Sequence, residues 1–469
     1  MNHHAREIRK QFIHLVWPVI IQNFLHMLMF NIDTAMVGRL NPVALASMGI
    51  AGPVNWTIMM VAMGLSIGTV ATVARSWGEK NQEKAASFAA TSYIMGIFMS
   101  VVVSACVIPF CFKIGGLFID EAEVIRESGR YLRIIYVFFI FTNTSLIASS
   151  ILQAAGDTRT PMIINGFCNM LNVLGNYLLI FGKGGFPALG LLGAGLSTGI
   201  CKGIEAIFMT AFLFSPLSRI RMRWATFKMV TKKNMKELLK VSIPAATEPF
   251  FVQSGFLMFT KIVAGLGTVA MAANRIALAV ESLSFTPGHA FSTACATIVG
   301  QKYGERSARG IKLAVRQSMK VSFTVMTSIG ISFLIIPGLL CRIFTDDTEL
   351  IKLASLCLMI GSSEQPFIAV VQILKGTFQG TGDTRRPIIY GSIGVWIPRL
   401  FLAYILAIYF KMGLAGIWIS TTCDWMVRAG LYFWGYKHKL RHLYEVLRDK
   451  PSPMLIARPV EECPTDFGN

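Results

Sequence analysis

Long apolar stretches follow one another along almost the whole chain. Examples are "YIMGIFMSVVVSACVIPFCF", "IIYVFFIFTNTSLIASSIL" and "SFTVMTSIGISFLIIPGLL". Each is close to the roughly 20 residues that an α-helix needs to cross a bilayer core. Because lipid cannot satisfy open backbone polar groups, such stretches must be helical, and the short alternating segments of a membrane barrel are not seen. The pattern predicts an all-α polytopic membrane protein.

The apolar stretches divide into twelve predicted transmembrane helices separated by short polar connections. Their predicted bounds are 13–38, 46–75, 88–112, 131–153, 160–182, 190–214, 242–265, 270–299, 317–341, 352–379, 387–409 and 413–436. The first stretch is too long and too polar for a cleavable signal peptide, so we expect it to remain as the first span.

Charge placement predicts which ends of these helices face the cytoplasm. The formal net charge is +19, although charged residues make up only 15% of the chain. Lys and Arg concentrate at both ends and in the even-numbered connections, notably 219–240 and 301–320, and an excess of these residues marks the cytoplasmic side. We therefore expect both termini in the cytoplasm of a cell carrying this protein in its inner membrane. The charge serves topology and attraction to anionic lipid headgroups, so no nucleic-acid partner is expected.

Two nearly identical segments show that the chain is duplicated. "LQAAGDTRTP" at 152–161 and "FQGTGDTRRP" at 378–387 place their Asp residues 226 positions apart (383 − 157 = 226). The same offset pairs Pro18 with Pro244 and Gly78 with Gly304, and a later match has an offset of 223. Since these matches include Pro, Gly, Asp and Arg in one register, they indicate a repeat rather than chance similarity between apolar helices.

The repeat predicts the domain organisation. Six spans in each half make both halves enter the membrane from the same side, which is a parallel repeat and a common plan of transporters. We expect an N-terminal six-helix lobe at 1–214, a cytoplasmic linker at 215–241, a C-terminal lobe at 242–437 and a cytoplasmic tail at 438–469. The Gly-Asp-Thr-Arg segment itself is typical of a turn before a helix that opens with Pro, so we interpret it as architecture and not as a ligand site.

Asp33 is the clearest candidate for ion coupling because it lies inside the first span with no basic residue within a helical turn. Ionisable residues at membrane depth are costly and are functional candidates by default. Such a carboxyl group can exchange a proton or hold a cation such as Na⁺ through its oxygens. The alternative is an acid at the outer interface that reaches water.

A second candidate pair is Glu248 with its repeat partner Gln22 (248 − 22 = 226). Each follows a proline of its span by one helical turn, Pro244 and Pro18. A proline inside a helix frees a carbonyl and bends the helix, and irregular backbone at membrane depth lines cavities. We expect the two prolines to act as hinges.

Several further polar residues lie at span depth. In the fifth span four asparagines share one helix face, where they either line a pocket or hold neighbouring helices together. Glu281 and Glu364 are acids that belong either to a cavity or to the interface, and Arg399 can partner either of them. The predicted substrate pocket consists of Gln22, Asn143, Asn169, Asn172, Asn176, Glu281 and Arg399. The pairs Lys202/Glu205 and Asp424/Arg428 have spacings at which opposite charges neutralise each other.

Motifs for other functions are missing from the sequence. The chain has no phosphate-binding G-x-x-x-x-G-K-[ST], no H-E-x-x-H and no nucleophile elbow, so we expect neither an ATP-driven machine nor an enzyme. The nine cysteines are scattered without a C-x-x-C, which predicts neither a metal site nor a disulfide framework. No cofactor is expected.

The sequence resembles the MATE (multidrug and toxic compound extrusion) family. The resemblance rests on Pro18 with "NFLHMLMFNIDTAMVGRLNPVALAS", on "GQKYGERS", on the doubled GDTR, and on "GLLGAG" with "GLAGIW", and it covers roughly 12–437. It implies two six-helix lobes around a V-shaped cleft and export of amphipathic organic cations in exchange for H⁺ or Na⁺.

The resemblance also implies roles for single residues. Asp33 matches the first-span acid of ion coupling, and Glu248 matches the seventh-span Glu of the subgroup with P-A-A-x-E. Asn172 and Asn176 fall where the family often has Asn and Asp, so Asn176 departs from the pattern. A tenth-span Asp of some members is Ile368 here, with Glu364 one turn earlier.

These observations together predict a monomeric, cation-coupled exporter of small amphipathic compounds that works by rocking of two lobes. Asp33, Glu248 and Glu364 are its predicted coupling residues. The alternative is a lipid-linked glycan flippase of the same broad superfamily. The acidic balance of the span-depth charges favours cationic substrates.

Overall fold

Nearly all of the chain is helical in the computed structural model, which describes residues 2–448, with side chains over 3–446. The last part of the predicted tail, 449–469, lies outside the described residues. The first half consists of α1 (Asn2–Gly38), α2 (Pro42–Gly78), α3 (Gln82–Val107), α4 (Cys111–Gly115), α5 (Ala122–Val137), α6 (Phe139–Ala154), α7 (Arg159–Phe181) and α8 (Leu191–Phe214).

A connecting segment with one short helix, α9 (Trp224–Phe227), leads to the second half. That half consists of α10 (Lys232–Ala264), α11 (Thr268–Gly304), α12 (Ala308–Ile335), α13 (Pro337–Arg342), α14 (Thr348–Gly361), α15 (Gln365–Gly380), α16 (Arg385–Gly394), α17 (Leu400–Tyr404) and α18 (Gly413–Arg448). Short 3₁₀ segments lie at Ile108–Phe110 and Ser362–Glu364, and π-helical turns at Val395–Arg399 and Ile405–Tyr409.

Each of the twelve predicted spans coincides with a helix or with a helix broken once or twice. Within residues 2–448, eight helical segments are long and apolar enough to cross a membrane, or nine if α5 and α6, bent by 48°, count as one span. The remaining three spans are α10, α11 and α18. These helices carry Glu248, Glu281 and Asp424 at their buried positions, so their composition is more polar than that of a helix surrounded by lipid.

The duplication is visible in the turns at one end of the bundle. Lys80 and Arg306, which are repeat partners, both have a φ of 55°. The residues after them cap the next helices in the same way: Asn81 accepts a hydrogen bond from the Lys84 amide at 2.9 Å, and Ser307 accepts one from the Gly310 amide at 3.0 Å. Equal offsets therefore correspond to equal backbone geometry.

The two Gly-Asp-Thr-Arg segments form matching turns with different side-chain contacts. Gly156 and Gly382 both adopt positive φ angles, 86° and 76°, which a glycine takes up without steric cost. Asp157 accepts a hydrogen bond from the Thr160 amide, in the first turn of α7, at 3.1 Å. Asp383 instead pairs with Lys439 of α18 at 3.1 Å. The segment is an architectural turn in both halves.

We call the end of the bundle that carries these turns the basic end. Its connections lie at 79–81, 155–158, 215–231, 305–307 and 381–384. It is the end that the charge pattern predicts to be cytoplasmic.

Glycines let the two halves pack closely at the basic end. A Cβ atom on Gly78 would meet the carbonyl oxygen of Gln301, and one on Gly304 would meet the carbonyl oxygen of Arg75, each at 2.0 Å. Arg75 and Gln301 are themselves repeat partners (301 − 75 = 226). The contact between α2 and α11 therefore obeys the two-fold pseudosymmetry of the repeat. Further along α2, Gly64 packs in the same way on Ala246 of α10.

Each half also inserts the start of its first helix into the core of the other. Phe12 of α1 is fully buried and stacks on Phe291 of α11, with ring centroids 6.1 Å apart. Its repeat partner Leu238 of α10 (238 − 12 = 226) is buried in the core of the first half, with Val73 and Ile151. The two lobes are thus joined by exchanged helix starts as well as by the α2 packing.

Candidate functional site

Asp33 and two asparagines form a hydrogen-bonded chain between α1, α7 and α8. The Asn176 amide donates to Asp33 Oδ1 at 2.5 Å and to Asn172 Oδ1 at 3.2 Å. Asn172 in turn donates to Ser197 and Thr198 of α8 at 3.3 Å each. The acid is half-buried, and within residues 2–448 no Lys, Arg or His forms an ion pair with it.

A second polar group lies further along the same face of α7. Asn165 donates to Glu205 of α8 at 3.2 Å and contacts His26 of α1 at 3.1 Å. Asn169 donates to Asn165 Oδ1 at 3.1 Å. Lys202 pairs with Glu205 at 2.7 Å, as its spacing predicts. The four asparagines therefore share the face that α7 turns toward α1 and α8, because their spacing of three and four residues follows the helical period.

In the second half, Glu248 of α10 pairs with Lys375 of α15, with Oε1 and Nζ 2.6 Å apart. Glu248 is 5% exposed. Lys375 is not among the predicted site residues. No signal in the sequence pairs Lys375 with Glu248; their repeat partners are Ser149 and Gln22 (375 − 149 = 226). Those two residues are also close to each other.

The equivalent place in the first half is held together by amides and a hydroxyl. Gln153 donates to Gln22 at 3.3 Å and to Ser149 at 3.1 Å. Equivalent positions in the two halves are therefore both polar: the first half has a neutral hydrogen-bonded group and the second half has an ion pair.

Arg399 pairs with Asp424 of α18, at 2.8 Å from Nε to Oδ2. This corrects the expectation that Arg399 has Glu364 or Glu281 as its ion-pair partner. Asp424 also holds Arg428 one turn later, with Nε to Oδ1 at 2.5 Å. The Arg399 guanidinium lies over the ring of Phe256, 4.5 Å from its centroid. A π-helical turn at Val395–Arg399 carries the arginine, and its Pro398 interrupts the regular helix.

Glu281 of α11 and Glu364 are neighbours and lie close to Arg399. Glu364 is fully buried, and neither of its carboxyl oxygens has a hydrogen-bond donor of the protein within the described residues. It lies in the 3₁₀ segment that separates α14 from α15. Ile368, one turn later, is fully buried in the apolar core of the second half. Glu281, Glu364 and Arg399 thus form a second cluster of ionisable side chains, in the second half.

The remaining predicted site residues lie elsewhere. Asn143 is fully buried in α6 and donates to the Gly96 carbonyl at 2.8 Å and to Ser100 at 2.9 Å, both in α3, so in this conformation its amide joins two helices. Pro18 and Pro244 lie inside α1 and α10, which continue through them as single helices. Within residues 2–448, no three His, Cys, Asp or Glu side chains lie close enough together to hold a metal ion.

The MatE family model matches the chain twice, over residues 18–178 and residues 244–405. The matched stretches begin 226 residues apart (244 − 18 = 226), which is the offset of the repeat. Among curated proteins, the "Probable multidrug resistance protein NorM" of Thermotoga maritima is 34% identical over 428 residues, which cover 91% of this chain and 91% of that protein.

Two solved structures show the same fold. A MATE protein in the bent conformation matches with a TM-score of 0.88 at 20% identity, covering 95% of this chain and 99% of that one. The outward-facing conformation of a multidrug resistance MATE family transporter matches with a TM-score of 0.86 at 20% identity, covering 93% and 96%. These matches confirm the predicted all-α fold with two lobes, and the NorM match does not favour the flippase alternative.

Proposed function

Because the chain belongs to the MatE family of membrane transporters, we propose that it exports small amphipathic organic cations in exchange for H⁺ or Na⁺. It acts as a monomer without a cofactor, in the inner membrane, with both termini in the cytoplasm. The Thermotoga maritima relative bears the name "Probable multidrug resistance protein NorM", which supports a substrate class of small organic compounds.

The assignment of Asp33 to ion coupling rests on its lack of a cationic partner among the described residues. Glu205, Glu248 and Asp424 each have a Lys or Arg partner at membrane depth. Asp33 has an amide donor, Asn176, and no such cation among the described residues. Its carboxyl group is therefore available to a proton, a sodium ion or a cationic substrate. Competition among these for one carboxyl group is the simplest way to link two opposite fluxes.

The rest of the predicted site surrounds this exchange. We propose that Asn169, Asn172 and Asn176 line the substrate pocket beside Asp33, with Gln22, Asn143, Glu281 and Arg399 contributing as the lobes change position. Glu248 and Glu364 are the proposed coupling residues of the second half. Glu364 takes this role through its contact with Glu281 rather than at the position of Ile368.

The proposed cycle uses the packing at the basic end. With the lobes closed there, Asp33 takes a cation from outside and releases the substrate. With the basic end open, the cation leaves to the cytoplasm and a new substrate enters. Pro18 and Pro244 are the proposed bending points in α1 and α10.

Replacing Asp33 with Asn tests the assignment, because the amide cannot bind a proton or exchange a cation. We expect ion-driven uptake of ethidium into inverted vesicles to fall to background for Asp33→Asn. Asp120→Asn, which removes an exposed acid from the connection before α5, should transport at the wild-type rate. Separate pH and Na⁺ gradients in proteoliposomes identify the ion. Wild-type uptake by Asp33→Asn would refute the coupling role.

A further inference from the structure

A basic and apolar groove follows the start of α10 at the basic end. The groove is open to the surface and has a volume of about 690 Å³. Its lining residues are Lys232, Met235, Lys236, Leu239, Lys240, Ile243, Pro244 and Arg385. Four of these eight side chains are cationic and none is acidic.

The spacing of the lysines explains the shape of the groove. Lys232, Lys236 and Lys240 recur every four residues, so they form one stripe along the helix. Met235, Leu239 and Ile243 form a parallel apolar stripe beside it. The three lysines are exposed, and within the described part of the chain none of them is in an ion pair. Glu237, the acid on the same turn, is held by Arg75 at 3.6 Å.

A second cavity continues the groove away from the basic end, along the surface of the bundle. It has a volume of about 210 Å³ and lies between α2, α3 and α10. Its lining is apolar except for one serine: Val61, Leu65, Met95, Phe98, Met99, Val102, Leu239, Ser242, Ile243 and Ala246. Leu239 and Ile243 line both cavities. A ligand can therefore place a charged part among the lysines and an apolar part along α2 and α3.

We propose that these two cavities bind one anionic phospholipid of the leaflet at the basic end. The phosphate contacts Lys232, Lys236, Lys240 and Arg385, and an acyl chain lies in the apolar cavity. Basic pockets between transmembrane helices on the cytoplasmic side suit anionic headgroups. A small soluble anion would leave the apolar cavity empty, and a zwitterionic lipid would gain little from four cations.

The site has a consequence for the two halves. Its lysines lie on the start of α10, which packs with α3 in the core of the first half, whereas Arg385 belongs to α16 of the second half. The bound lipid thus contacts both halves beside the interface at which the glycines of α2 pack. It therefore stabilises the arrangement in which the lobes are closed at the basic end.

The test measures binding of phosphatidylglycerol and phosphatidylcholine to the full chain by native mass spectrometry, with inorganic phosphate as a third ligand. We expect a preference for phosphatidylglycerol. Since each cation near an anionic surface contributes roughly fivefold, K232Q/K236Q/K240Q should lower its affinity on the order of 100-fold. K228Q/K233Q/K312Q removes the same charge from exposed positions outside the groove and should retain the preference.

A second pair of variants tests the acyl cavity without changing charge. Val102→Trp fills the cavity and should weaken phosphatidylglycerol binding, whereas Val101→Trp, on the neighbouring exposed position outside the lining, should not. Equal binding of both lipids, or loss of the preference in both triple variants, would overturn the proposal. Protection from thermal unfolding by phosphate alone, equal to that by lipid, would replace the lipid with a simple anion. None of these readouts depends on transport.

Discussion

Single residues distinguish the two halves where the scaffold is the same. Gln22 and Ser149 occupy the positions that Glu248 and Lys375 occupy in the second half. A neutral polar corner needs no charge compensation, but a buried carboxylate does, because an unpaired buried charge is strongly destabilising. The ammonium group of Lys375 is therefore the counter-ion of Glu248, at a position that a bound metal cation could otherwise occupy.

Removing this counter-ion should destabilise the protein. We expect Lys375→Met to lower the free energy of unfolding by about 3 kcal/mol, the lower end of the range for breaking a buried pair. The double variant Glu248→Gln/Lys375→Met, which removes both charges, should recover most of that loss. Thermal unfolding of the parent chain, the single variant and the double variant in the same detergent gives the comparison.

The same variants also test whether sodium binds beside Glu248 when Lys375 is absent. If Lys375 takes the place of an external cation, added NaCl should stabilise Lys375→Met more than it stabilises the double variant at equal ionic strength. Equal stabilisation of the two would mean that Glu248 does not bind sodium when the lysine is absent.

The glycines of helix α2 differ in how closely other helices approach them. A Cβ atom on Gly78 would lie 2.0 Å from the Gln301 carbonyl oxygen, whereas a Cβ atom on Gly49 or Gly52 would meet nothing within 4 Å. All three lie in the same helix. Only the first is required for the approach of α2 to α11.

Alanine substitutions test this difference. Gly78→Ala should cost about 1–3 kcal/mol of stability, the usual range for overpacking, because the backbone of α11 must move. Gly49→Ala and Gly52→Ala should be neutral or slightly stabilising, since alanine favours helix formation. Chemical unfolding of the purified variants gives the comparison. A loss of stability at Gly52 as large as that at Gly78 would exclude close helix packing as the cause.

The helices could be predicted from the sequence because apolar length alone sets a membrane span. Their breaks at Phe138 and Ser362–Glu364 could not, since apolar residues continue through the first and on both sides of the second. The asparagine face of α7 followed from helical spacing. Lys375 and the pairing of Arg399 with Asp424 depend on which helices pack together, which spacing within one helix does not determine.

The orientation of the whole molecule in the membrane also remains a prediction. Asp120 and Lys228 are exposed at opposite ends of the bundle. If the basic end faces the cytoplasm, a membrane-impermeant maleimide should label Asp120→Cys in intact cells and label Lys228→Cys only after lysis. The parent chain, with its native cysteines, gives the background. Labelling of Lys228→Cys in intact cells would invert the topology.

The paired glycine contacts link the two ends of α2. From Gly64 to Pro42, α2 extends 22 residues beyond the packed zone, about 33 Å at 1.5 Å per residue. A rotation of one lobe by about 10° about Gly64 would move the far tip by about 6 Å and would move Gly78, about 21 Å away in the other direction, by about 4 Å. The contacts at Gly78 and Gly304 must therefore separate when the basic end opens, and a methyl group added at either glycine changes an opening many residues away.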